Sequence, residues 1–167
     1  DNVHYVIENG QRIPADKTEF SNDPDFPYST AYLPDYILEK LNSSKITGLR
    51  ERIDADEILS IPLNLIRSRG PEGVTEFLLQ VTHARFIVVN AETYDDLDTV
   101  TAAVRTAVEQ GKRFFYHTSS SFVRSFMQQS AKLIDFSSVE TGPGLVVVGS
   151  YVQKTQRQLS KLLEIQG

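Results

Sequence analysis

Residues 85–90 read RFIVVN, a short unbroken apolar run. A strand with apolar side chains on both faces must be covered on both faces, which is the habit of parallel sheets flanked by helices. The residues that follow agree. Thr93-x-x-Asp96 has capping-box spacing, and Leu97, Val100, Val104 and Val108 then fall on one helical face that Gly111 ends. The alternation recurs along the chain. Residues 58–66 are apolar and strand-like, although Pro62 argues for an edge or a bulge. Gly70-Pro71 restarts the chain as a helix with Val74, Phe77, Leu78 and Val81 on one stripe. Residues 113–117 (RFFYH) read as a strand, 120–129 as a helix and 145–148 (LVVV) as a further buried strand. Thr155-x-x-Gln158 is a second capping-box pattern and opens the last helix. Together these predict an α/β fold, an open and mainly parallel sheet with helices on both faces.

The first third is less regular. Asn9-Gly10 between residues 4–8 and 11–13 is a hairpin signal. Residues 18–28 form a polar loop punctuated by Pro and aromatics, either functional or a packed surface loop. Pro34 suits the first turn of a helix with Leu33, Ile37, Leu38 and Leu41 on one face, ended by 42–48. Residues 137–144, rich in Ser, Gly and Pro, read as a linker and hinge.

Charge and composition narrow the partners. The net charge is −5, and no basic run is present, so neither nucleic acid nor an anionic membrane is expected as a partner. No apolar run approaches the ~20 residues that span a bilayer. Without cysteine there is no disulfide, thiolate nucleophile or thiolate metal site. His4, His83 and His117 lie far apart, and no metal site is assigned. The residues that begin the chain show no secretion signal, so a cytoplasmic location is expected.

Ligands of open α/β sheets bind outside the carboxyl ends of the strands. Three places qualify. After RFIVVN come Asn90, able to bond a hydroxylated ligand, and Glu92, a potential acid or base; equally, Asn90 could serve loop backbone while Thr93 caps the helix. Asp95, Asp96 and Asp98 fit stabilisation of the helix dipole. After RFFYH, the hydroxyls of Thr118, Ser119, Ser120 and Ser121 offer donors to an anion at a helix start, or simply cap it. No G-x-S-x-G elbow supports a nucleophilic triad. After LVVV, Gly149 and Ser150 make a turn with Lys154 nearby, a setting suited to phosphate, although the P-loop glycines are absent. The plainer reading is a turn with Thr155 as N-cap.

Three segments together resemble the four-carbon acid-sugar kinase family. The first is His4-Tyr5-Val6 followed by Thr18-Glu19-Phe20-x-x-Asp23-x-x-Phe26-Pro27-Tyr28. The second is Val88-Val89-Asn90-Ala91-Glu92-Thr93-x-Asp95-Asp96-Leu97, continued by Gly111-Lys112-Arg113-Phe114 and Thr118-Ser119-Ser120-Ser121-Phe122-Val123. The third is Gly144-Leu145-Val146-Val147-Val148-Gly149-Ser150-Tyr151-Val152-x-Lys154-Thr155-x-x-Gln158-Leu159.

The resemblance implies a two-domain kinase that uses ATP and Mg²⁺ to phosphorylate a threonate, erythronate or oxo-tetronate. Residues 1–143 would be the later part of the acid-sugar-binding domain and 144–167 the start of the nucleotide-binding domain. Ser150 and Gly149 would then touch ATP, with Lys154 offsetting phosphate charge. Asn90, Thr118, Ser119 and Ser120 would face the small-molecule sugar acid. The family's Asp-Asp-x-Thr-Gly and Asp-Ser-Thr-x-Arg-Gly segments, which the resemblance makes its acid-sugar and catalytic elements, are not in this chain, so no general base is assigned and the chain alone is expected to be inactive. Asn90 stands where Asp is common, and His117 where Arg is common. A homo-oligomer is compatible with this reading. Rival readings are a non-catalytic ligand-binding or regulatory domain, and an interaction module or secreted effector.

Overall fold

The computed structural model describes residues 1–42, 53–130, 132–133, 135, 137, 142–150 and 152–165. It divides into two units, Asp1–Ser130 and Ala131–Gly167.

In the first unit, Tyr5–Glu8 (β1) and Gln11–Pro14 (β2) form an antiparallel hairpin in the register Tyr5↔Pro14 and Glu8↔Gln11. Asn9 and Gly10 both have positive φ, 50° and 78°, as a tight two-residue hairpin requires. The polar stretch after it is packed. Thr18 and Ser21 are buried, and their hydroxyls donate to the carbonyls of Ala15 and Thr18. Leu33–Leu41 (α1) follows, with Pro34 in its first turn. Its expected end at 42–48 lies mostly outside the described residues.

Ile58–Ile61 (β3) pairs in parallel with Phe86–Val89 (β4), in the register Ile58↔Phe86 and Ile61↔Val89. Leu63–Gln80 (α2) is the crossover between them. Tyr94–Glu109 (α3) and Ser120–Phe126 (α4) complete this unit. The pair of strands is apolar on both faces, as RFIVVN demands. Ile61, Ile87 and Val89 join Ile66, Val74, Leu78, Val100, Val104 and Phe122 in one cluster. Ile58, Val88 and Phe86 join Ile53 and the apolar face of α1 in the other.

Among the described residues the architecture is mixed α/β with two small sheets, and several expectations change. The apolar stretch 58–66 is not one strand. Pro62 has no N–H for the ladder, so β3 stops at Ile61 and α2 starts at Leu63. Gly70 (φ 58°, ψ −162°) and Pro71 then break α2 into two helical pieces. The helix expected over 120–129 stops at Phe126, where Gln128 turns left-handed (φ 54°).

Residues 113–117 are not a strand. Alternation is kept, because Phe114 packs on the core and Tyr116 lies 5.9 and 5.7 Å from the rings of Phe122 and Phe126, while Phe115 is 98% exposed. What is missing is a ladder partner for the backbone. Residues 145–148 are not a strand either: Leu145 and Val147 are 89% and 83% exposed, so the apolar run has nothing to cover it among the described residues. The mainly parallel sheet therefore reduces to the β3–β4 pair.

The second unit contains Gln153–Glu164 (α5). It begins after Val152, so Thr155 is not its N-cap; Thr155 sits in the first turn and its hydroxyl donates to Ser150 Oγ at 3.1 Å. Residues 138–141 of the expected linker 137–144 lie outside the described residues. Among the described residues no helix is long and apolar enough to cross a membrane.

Candidate functional site

The carboxyl ends of β3 and β4 open onto Pro62 and Asn90. Asn90 is buried and fully engaged. Its Oδ1 accepts from the Asn2 backbone at 2.5 Å, and its Nδ2 donates to Asn2 Oδ1 at 2.8 Å and to the Ile61 carbonyl at 3.0 Å. Asn2 itself has φ 62°. Asp1 reaches the same place, its carboxylate accepting from the Leu63 N–H at 3.3 Å. Asn90 thus ties Asn2 to the Ile61 carbonyl across the strand ends.

Two residues on, Glu92 lies between two guanidiniums. Its Oε1 accepts from Arg12 at 2.8 Å and its Oε2 from Arg67 at 3.0 Å. Arg12 comes from β2 and Arg67 from the start of α2, so three separate parts of the chain meet here. These two arginines, first by hydrogen bonding, hold the Glu92 carboxyl below its usual range.

Asp96 anchors the cluster. It accepts from Arg67 Nε and Nη2, both at 2.9 Å, and from the backbone N–H groups of Glu92 and Thr93, both at 3.0 Å. Thr93 Oγ1 accepts in turn from the Asp96 N–H at 3.2 Å, completing the capping box of α3. The Arg67 bonds, followed by those from the backbone, outweigh burial and keep Asp96 well below the ordinary carboxylate range. The dipole role read for Asp96 is joined by a second one, orienting Arg67. Asp98 takes a separate partner, Arg124, at 3.4 Å.

Arg12 and Arg67 escaped the sequence reading. The contacts with Glu92 join residues 80 and 25 positions apart, and no local pattern marks either arginine. The one available hint was that Arg67 follows closely on a strand end.

Thr118, Ser119 and Ser120 lie exposed at the start of α4, and Ser119 occupies the N-cap position without a side-chain capping bond. No hydrogen bond among the described residues links them to Asn90 or Glu92. In the second unit, Gly149, Ser150 and Lys154 are exposed, with Lys154 in the first turn of α5. A Cβ placed on Gly149 would meet nothing within 4 Å, so the backbone there is open to a ligand's close approach. Elsewhere, a recess of about 380 Å³ between α3 and α4 is lined by Asp98, Arg105, Arg124 and Gln128 among others, and holds none of the expected site residues. Among the described residues no cluster of three acidic or histidine side chains could hold a metal ion.

Chemically, the strand-end cluster is a place where two positive charges meet one exposed and one buried carboxylate. As it stands, its four charges balance. Residues 1–126 match the family model described as the sugar-binding N-terminal domain. Neither a curated protein nor a solved structure matches the chain.

Proposed function

The chain belongs to the sugar-binding N-terminal domain family of the four-carbon acid sugar kinases, and we propose that it supplies the acid-sugar-binding part of an ATP-dependent kinase. The observation that carries this reading is the family match over 1–126. A polar cluster of two arginines and two carboxylates at the carboxyl ends of a parallel strand pair supports it, since that is where such folds bind small ligands.

The proposed substrate is a four-carbon sugar acid of the threonate, erythronate or oxo-tetronate kind. Its carboxylate and hydroxyls need donors and acceptors on several sides. Thr118, Ser119 and Ser120 are exposed hydroxyls that serve this end, and Asn90 shapes the floor by holding residues 1–2 in place. We assign residues 1–143 to sugar-acid binding and 144–167 to the start of a nucleotide-binding domain.

We assign the phosphates of ATP to the Gly149 backbone, the Ser150 hydroxyl and the Lys154 ammonium, all of them exposed. When bound, ATP with Mg²⁺ would supply the transferable phosphoryl group. The chain's share is positioning and charge compensation, which carry most of phosphoryl-transfer catalysis. Such an enzyme would act in the cytoplasm, where ATP is available.

The test is ATP consumption, with Mg²⁺, by the intact protein that carries this chain, against a panel of threonates, erythronates and oxo-tetronates. Turnover with one of them is expected. A folded protein that binds ATP and turns over none of them would replace the kinase reading with a binding or regulatory one.

A further inference from the structure

We infer that Arg12 and Arg67 are the carboxylate-binding pair of this site, and that Glu92 holds their place when no ligand is bound. The inference rests on the sugar-acid reading above and names the side chains that recognise the acid group.

The geometry around Glu92 is that of a bound ligand carboxylate. One oxygen is held by each guanidinium, at 2.8 and 3.0 Å, and the two arginines come from different elements. The Arg12, Arg67 and Glu92 side chains are 54%, 48% and 36% exposed, so this triple contact is open to solvent and to a competing anion. Exposed ion pairs contribute little to folding, and exchanging one carboxylate for another costs little. Stability is therefore a weak explanation for the arrangement.

Arg67 is prepared for such an exchange. Asp96 holds it by two further hydrogen bonds that do not involve Glu92, and Asp96 is 4% exposed. If Glu92 swings away, the Arg67 guanidinium stays aimed, which is the preorganisation that favours tight binding. Glu92 sits on the short connection between β4 and α3, and its backbone N–H stays bonded to Asp96, so the side chain can leave without the loop moving. Charge also fits. With Glu92 in place the two arginines are matched by two carboxylates; with Glu92 displaced, the pair gains one net positive charge toward an acid. In a chain of net charge −5 such a local field is needed to hold an anionic substrate.

Glu92 then acts as an internal competitor, and the apparent affinity for an acid is lowered by the fraction of time it occupies the pair. The test is calorimetric titration of the intact protein that carries this chain with threonate and erythronate, and with the neutral polyols threitol and erythritol. The wild type should prefer the acids to the polyols. Glu92→Ala should tighten the acids several-fold and leave the polyols unchanged. Arg12→Ala, a change at a half-exposed side chain, should weaken the acids by roughly tenfold, the worth of one hydrogen bond to a charged group. Circular dichroism checks that both variants fold. If the acids bind and both variants match the wild type, the arginine pair is not the acid's grip, while the sugar-acid reading stands. If no acid binds the wild type or Glu92→Ala, both readings fail together.

Discussion

Arg67 and Asp96 are joined by two hydrogen bonds of 2.9 Å, a guanidinium fork closed on a nearly buried carboxylate. The same carboxylate accepts from the Glu92 and Thr93 N–H groups, so one side chain ties α2 to the start of α3. Because its folded pKa is lowered, Asp96 adds stability that is present above its unfolded value of about 3.9 and is lost as pH falls below it. Asp96→Asn should cost about 1.5–3 kcal/mol at pH 7. The gap from wild type should narrow steadily below about pH 5. Urea unfolding at several pH values measures this, and a gap independent of pH would remove Asp96 from the account.

Asn90 gives a second prediction, concerning the strand ends. Asn90→Ala removes three hydrogen bonds, two of them to Asn2. The loss should be about 1–3 kcal/mol. Amide hydrogen exchange at residues 2–4 should quicken while that of α3 stays slow. Unchanged exchange at residues 2–4 would show that other contacts hold this segment.

Gly70 tests the kink. Its φ of 58° and ψ of −162° belong to a region that is essentially glycine's alone. Gly70→Ala should destabilise by roughly 1–3 kcal/mol. The thermal midpoint reads this, and an unchanged midpoint would mean that the two pieces of α2 can join differently.

Much of the local structure was legible because it is locally encoded. Asn9-Gly10 forms its hairpin, Thr93 and Asp96 form their capping box, and RFIVVN is covered on both faces. Expectations failed where structure depends on a distant partner. RFFYH and LVVV have strand composition, but a strand exists only with a ladder neighbour, and composition names none. Thr155 has capping-box spacing, yet the helix starts earlier and takes Thr155 into its first turn. The site divides the same way. Asn90 and Glu92 were marked by lying just after a strand, whereas Arg12 reaches Glu92 only through the fold.

Ser150 carries the nucleotide side of the proposal. In the intact protein that carries this chain, Ser150→Ala should weaken ATP by roughly tenfold, the worth of one hydrogen bond to a charged group. Affinity for the sugar acid in the absence of ATP should not change. Equal ATP affinity in the variant would leave Gly149-Ser150 as a turn and no more.

The most direct test of the central claim is a titration of the isotope-labelled intact protein that carries this chain with threonate and erythronate, followed by amide chemical shifts. Saturable shifts are expected at residues 61, 63–67 and 90–96, around Arg67, Asn90, Glu92 and Asp96. The central claim is contradicted if neither acid moves these amides, or if the shifts gather only at the recess between α3 and α4.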